Sequence, residues 1–211
     1  MTDLTVSHLQ AAHARPAAEA LARAFDDDPL TRFLLPDPVQ RPRVLASTFA
    51  AQIRDGLVNG EVLAAFDGDL PVATAVWIPP EAWPMSIRRQ IGVISAAMTP
   101  GLRALPAALR AGPRFVRAFS IVERLHPDRP QWYLSLLGTD PRYQGRGAAS
   151  RLLAPVLERC DALGLHAYLE TGTTRNLAWY AKHHFVTLQE LRPLKNGPPL
   201  WTMERISAAG P

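Results

Sequence analysis

The chain of 211 residues has a single cysteine, only two lysines, Lys182 and Lys195, and no apolar run long enough to cross a bilayer. One cysteine excludes an intrachain disulfide framework, and no Cys/His spacing suggests structural zinc. His183-His184 is the nearest approach to a metal pair, but adjacent side chains point apart on a helix, so no metal is expected. The N-terminus lacks the basic-then-apolar pattern of a signal peptide, which predicts a cytoplasmic protein without a membrane partner. A net charge of +4 raises the question of nucleic acid. The basic residues are nearly all arginines, scattered and mixed with acids, so a nucleic-acid partner is not expected.

What the chain does have is 47% apolar residues, enough for one well-packed domain over 1–211. Thr5 to Leu9 reads as a first strand and Pro16 to Phe25 as an alanine- and leucine-rich helix ending at Asp26-Asp27-Asp28. Arg43 to Leu57 has helical spacing and stops near Asn59-Gly60. Glu61 to Phe66 and Val72 to Ile78 read as a hairpin across Asp67-Gly68-Asp69. A helical insertion follows over about 84–126, broken at Pro100-Gly101, Pro106 and Gly112-Pro113, where an acceptor pocket would be built. Trp77, Trp83 and this insertion favour an aromatic pocket over an open groove. The apolar face in Leu102 to Val122 reads either as core or as the face of a homodimer. The tail 207–211 is expected to be loose.

The segment Trp132 to Leu153 carries the chemistry. It reads as a buried strand, a glycine-punctuated basic loop and an amphipathic helix to Leu163, closed by Gly164 and interrupted by Pro155. Such a loop frees backbone N–H groups at a helix start, where the macrodipole favours an anion. Arg142 and Arg146 would add charge-assisted donors, and Gly145 and Gly147 tolerate positive φ and close approach. Walker A chemistry is excluded, because Gly147 is followed by Ala148 and Ala149 instead of Lys and Ser/Thr. The dinucleotide fingerprint is met in two of three glycines, with Glu170 about twenty residues on. Its position is wrong, since Gly138 to Gln144 separate it from the strand and too little chain follows for two mononucleotide halves.

Arg142-Tyr-Gln-Gly145-Arg-Gly147 is similar to the pyrophosphate-binding motif of the GCN5-related N-acetyltransferase (GNAT) family. The downstream run Ala167 to Phe185, with Asn176 and Tyr180, resembles that family's next strand, helix and strand entry. Ala24-Phe-Asp-Asp-Asp-Pro29, Leu169-Glu-Thr, Arg175-Asn-Leu and Trp201-Thr-Met-Glu-Arg205 resemble its puromycin N-acetyltransferase-like branch, so the likeness spans nearly the whole chain. The resemblance implies an α/β (α+β) fold with a splayed central mixed sheet flanked by helices. It implies acetyl-CoA as co-substrate, held by Leu137, Gly138, Thr139, Arg142, Gln144, Gly145, Arg146, Gly147, Ala148, Ser150 and Asn176. The strand would bulge around Leu136 to Thr139, with Gly138 as the natural bulge residue, so that its backbone meets the pantetheine arm and the thioester.

Asn176 and Tyr180 are four apart on a predicted helix and share one face. By resemblance Tyr180 protonates the departing thiolate. Glu170, near a strand end where the cleft should open, is the candidate base, directly or through water. Asp27 and Asp28 are rivals that would attract a cationic amine, or plain caps. His126 and His166 have suitable acidity but no local support, and Cys160 reads as buried filler. The family's usual Gly at the end of the Tyr180 helix is His184 here. A left-handed His184 would cost roughly 1 kcal/mol relative to Gly. The expected activity is acetyl transfer to a small-molecule primary amine, with an antibiotic or aminonucleoside among the acceptors. The alternatives are a protein or peptide amine, or a non-catalytic acyl-CoA-binding regulatory module.

Overall fold

The computed structural model describes residues 4–97, 112, 116, 117, 120, 121 and 126–207. In chain order the strands are β1 (Thr5–His8), β2 (Glu61–Asp67), β3 (Leu70–Ile78), β4 (Gln131–Thr139), β5 (His166–Thr171), β6 (Val186–Leu191) and β7 (Leu200–Arg205). The described helices that matter below are α1 (Ala14–Ala24), α2 (Pro29–Leu34), α3 (Arg41–Asn59), α4 (Ile87–Ala97), α5 (Ala148–Leu163) and α6 (Thr174–Ala181). The strands form one sheet in the order β1-β2-β3-β4-β5-β7-β6, antiparallel except for the β4–β5 pair. This is the mixed α+β architecture expected from the sequence. Of the insertion, α4 is described; most of the expected further helices and the apolar face between Leu102 and Val122 lie outside the described residues, as do residues 208–211.

Alternation along the central strands sorts their side chains into two cores. Tyr133, Leu136 and Tyr168 pack with α1 and α3, while Trp132, Leu134, Ala167 and Leu169 pack with α5 and α6. Tyr133 and Leu136 are three apart yet share a face. The phase change is a β-bulge, because Val76 pairs with Leu136 and Trp77 with Leu134, leaving Ser135 as the extra residue. The bulge is therefore at Ser135, three residues before the Gly138 position expected for it. Gly138 has a different job: a Cβ there would lie 2.7 Å from Leu21 Cδ2 and 3.0 Å from Phe25, so its lack of a side chain lets α1 lie directly on β4.

Beyond the bulge the sheet opens. β4 pairs with β5 from Gln131–His166 to Leu134–Leu169 and no further, although β4 runs on to Thr139 and β5 to Thr171. Backbone groups of β4 on that side are left without a strand partner, and such groups must meet water or a ligand. Pro155 lies on the exposed face of α5, and the helix continues through it.

Candidate active site

A cleft of about 500 Å³ occupies the opening between β4 and β5. Its floor is Leu137, Gly138 and Thr139 of β4, and one wall is the loop and helix start from Tyr143 to Ser150. The loop has the backbone predicted for an anion cradle. Gly145 and Gly147 both take the left-handed conformation, at φ +77° and +76°, and Gly147 is the N-cap of α5. No atom lies within 4 Å of where either Cβ would be, so the space beside both is open. The first N–H groups of α5, at Ala148, Ala149 and Ser150, therefore start at the cleft wall.

The loop is fixed by its own side chains. Asp140, buried, accepts from Arg142 N at 3.1 Å and from the Arg142 and Arg23 guanidinium groups at 2.8 Å each. The Arg142 bonds, with help from Arg23, hold the carboxyl far below its ordinary range. The Tyr143 hydroxyl donates to Asp67 at 3.0 Å, tying the loop to the β2–β3 hairpin. Arg142 is thus engaged with Asp140, and the Arg146 guanidinium lies 4.9 Å from the centre of the Tyr143 ring. Neither lines the cleft, whereas Gln144, Gly145, Gly147, Ala148, Ser150 and Asn176 all do. Gln144 also donates to the Thr139 carbonyl at 3.3 Å.

The opposite wall is α6. Asn176 and Tyr180 both face the cleft, as their spacing requires, and Asn176 is held by donation to Thr171 Oγ1 at 3.0 Å. Tyr180 is 6% exposed and packs edge-on against Trp179 and Phe185. Burial pushes its phenol well above the usual value, so it keeps its proton at any physiological pH. The helix ends as a Schellman turn, with Phe185 N donating to Tyr180 O and His184 N to Ala181 O. His184 occupies the left-handed position, φ 65°, so the turn keeps the geometry that glycine would serve.

The carboxylate candidates are Asp27, Asp28 and Glu170. Asp28 caps α2, its Oδ1 accepting from Leu30 N at 3.0 Å and Thr31 N at 2.9 Å, and it lines the cleft with Asp27. Glu170 is not among the residues that line the cleft. Its Oε2 accepts from the Tyr133 hydroxyl at 2.9 Å, and its Oε1 is buried without a partner. Burial lifts Glu170 to about 7 against the lowering pull of Tyr133 and Tyr168. Tyr133 was not singled out in the sequence. No local signal marks it, because its place opposite Tyr168 and beside Glu170 follows from the β4–β5 register.

The remaining candidates fall away from the cleft. Trp77 is completely buried in the core and Trp83 packs on His126 and Tyr133, so neither forms the aromatic pocket wall expected of them. Burial lowers His126 to about 4, and His166 is bonded to Glu204 at 3.1 Å. Cys160 is buried and its thiol is pushed up to about 12, consistent with filler. Among the described residues no group of three or more His, Cys, Asp or Glu could hold a metal, and no described helix is long and apolar enough to cross a membrane.

This geometry agrees with comparisons to known proteins. The model of the acetyltransferase (GNAT) family matches residues 59–185, which include β2 to β5, the loop and α6. An uncharacterised N-acetyltransferase of Schizosaccharomyces pombe is 24% identical over 195 residues, covering 89% of this chain and 76% of that protein. A crystal structure from Corynebacterium glutamicum, described as histone acetyltransferase HPA2 and related acetyltransferase, is 25% identical. It superimposes with a TM-score of 0.69 over 99% of this chain and 98% of that one. Arylalkylamine N-acetyltransferase 2 of Aedes aegypti shares the fold at 11% identity and a TM-score of 0.57, covering 97% and 99% of the two chains. With its splayed sheet, left-handed glycine loop and family match over most of its length, the chain belongs to the GNAT family and is an acetyl-CoA-dependent acyltransferase.

Proposed function

We propose that the enzyme transfers acetyl from acetyl-CoA directly to the primary amine of a small, cationic molecule, with aminonucleosides among the candidate acceptors. The observation that carries this reading is the single cleft that joins the loop, Tyr180 and Asp28 across the gap between β4 and β5. The pyrophosphate is held by the backbone N–H groups from Gly145 to Ser150, with Asn176 on the opposite wall. The pantetheine arm follows the unpaired backbone of Leu137, Gly138 and Thr139, whose N–H groups also receive the developing oxyanion.

An amine is protonated at neutral pH and must lose that proton to attack. Glu170, poised near 7, takes it through water, because its carboxyl does not line the cleft. The free amine nitrogen then bonds to the thioester carbonyl carbon, the tetrahedral intermediate collapses, and the C–S electron pair leaves on sulfur. Tyr180 donates its proton to that thiolate. Two carboxylates, at Asp27 and Asp28, face the same space and favour a cationic acceptor.

Thiol release measured with acetyl-CoA across a panel containing puromycin, polyamines, arylalkylamines and short peptides tests the assignment. Amine-dependent release with small molecules supports it, and release with peptides alone would replace the small-molecule acceptor. Tyr180→Phe is expected to lower kcat by about 100-fold while leaving acetyl-CoA affinity within about threefold. An unchanged kcat would remove Tyr180 from the mechanism.

A further inference from the structure

The family resemblance accounts for Asn176 and Tyr180 on α6 but gives no role to His183, which lies just beyond that helix. Its Nε2 lies 3.0 Å from Ser150 Oγ, in the first turn of α5, and Ser150 lines the cleft. The ring also packs on Trp179, with centroids 4.6 Å apart, and Trp179 packs on Tyr180. His183 therefore bridges the two walls of the cleft, the loop side and the Tyr180 side.

A serine hydroxyl has one proton to give. If Nε2 is the acceptor, that proton points at the imidazole and the hydroxyl offers an incoming phosphate only lone pairs. If Nε2 carries hydrogen, Ser150 Oγ accepts from it and its own proton is free for an anionic oxygen. The second arrangement is a donor chain directed into the cleft, and each bond in such a chain strengthens the next. The charged and titratable groups acting on the ring are His184 and Arg205, which is paired with Asp161 on α5. Burial, His184 and Arg205 disfavour a charged His183, so a neutral imidazole must supply the donor through its tautomer.

We infer that His183 is a positioning residue for the cofactor: through its Nε2–H it turns the Ser150 hydroxyl toward the phosphates of acetyl-CoA. This rests on the proposed placement of the pyrophosphate at the Gly145 to Ser150 wall. It predicts that His183 contributes to recognition of the phosphates and not of the thioester.

The test is a pair of dissociation constants, for acetyl-CoA by calorimetry and for S-acetylpantetheine, which has the same thioester and no pyrophosphate, by NMR titration. Ser150→Ala and His183→Phe should each weaken acetyl-CoA binding about tenfold, the loss of one hydrogen bond to a charged group. Both should leave S-acetylpantetheine binding within about twofold. The double variant should bind acetyl-CoA no worse than Ser150→Ala, and His183→Gln, whose amide keeps a donor, should recover most of the loss. Additive losses, or equal losses on both thioesters, would show that His183 acts by packing and would overturn the inference. Unchanged acetyl-CoA binding by His183→Phe in a protein that prefers acetyl-CoA would overturn it alone. A wild-type protein that does not prefer acetyl-CoA would overturn the pyrophosphate placement, and this inference with it.

Discussion

Glu170 sits where stability and chemistry pull in opposite directions. The folded protein holds its proton to about pH 7, whereas an unfolded chain releases it near 4.5. The folded state therefore loses stability as pH rises between those values, by on the order of 3 kcal/mol once Glu170 is ionised. Glu170→Gln should consequently melt higher than the wild type at pH 8, gain little at pH 4, and lose most amine acetylation. A variant that is less stable at pH 8 would show that the ionised carboxylate is well solvated. Tyr133→Phe tests the same site from its partner. The Tyr133 hydroxyl stabilises the carboxylate, so its loss should move the acid limb of the kcat/KM profile above its wild-type position near pH 7. A limb that stays put, or moves down, would separate Tyr133 from the base. The Glu170 carboxylate was legible as a candidate base from strand alternation. Its burial and its bond to Tyr133 were not, because they depend on the pairing of two strands that are distant in sequence.

Among the elements, β4 holds the most information per residue. The strand and the loop after it could be read locally, since glycines at 145 and 147 leave few alternatives to a left-handed turn before a helix. The bulge at Ser135 could not, because it is a property of the pairing with β3 and appears only when two registers are compared. Gly138, expected as the bulge residue, is instead a packing contact. As a contact residue for α1 it makes a definite prediction: Gly138→Ala should destabilise the fold by about 1–3 kcal/mol as Leu21 and Phe25 are displaced, read as a fall in the denaturation midpoint. It should also weaken acetyl-CoA binding, because the same strand floors the cleft. A variant of wild-type stability would mean that α1 yields without cost. Arg142 shows the converse limit. Its charge suggested a phosphate ligand, whereas its partner in the structure is Asp140, whose burial a sequence does not display.

For the whole molecule, strand order and helix placement follow from hydrophobic periodicity and from the parallel β4–α5–β5 crossover. The splay that makes the fold useful follows from strand pairing that stops at Leu134–Leu169. In the proposed mechanism that gap lets acetyl-CoA, held between α5 and α6, present its thioester to an amine arriving past α1 and α2. The most direct test of this account is calorimetric titration of acetyl-CoA into the wild type and Gly145→Val. No protein atom lies within 4 Å of a Cβ at Gly145, but its φ of +77° strains a β-branched residue and the new side chain enters the proposed cofactor space. The account predicts micromolar binding by the wild type, and for the variant at least a hundredfold loss with the fold retained by circular dichroism. Absence of binding by the wild type, or undiminished binding by a folded Gly145→Val, would contradict it.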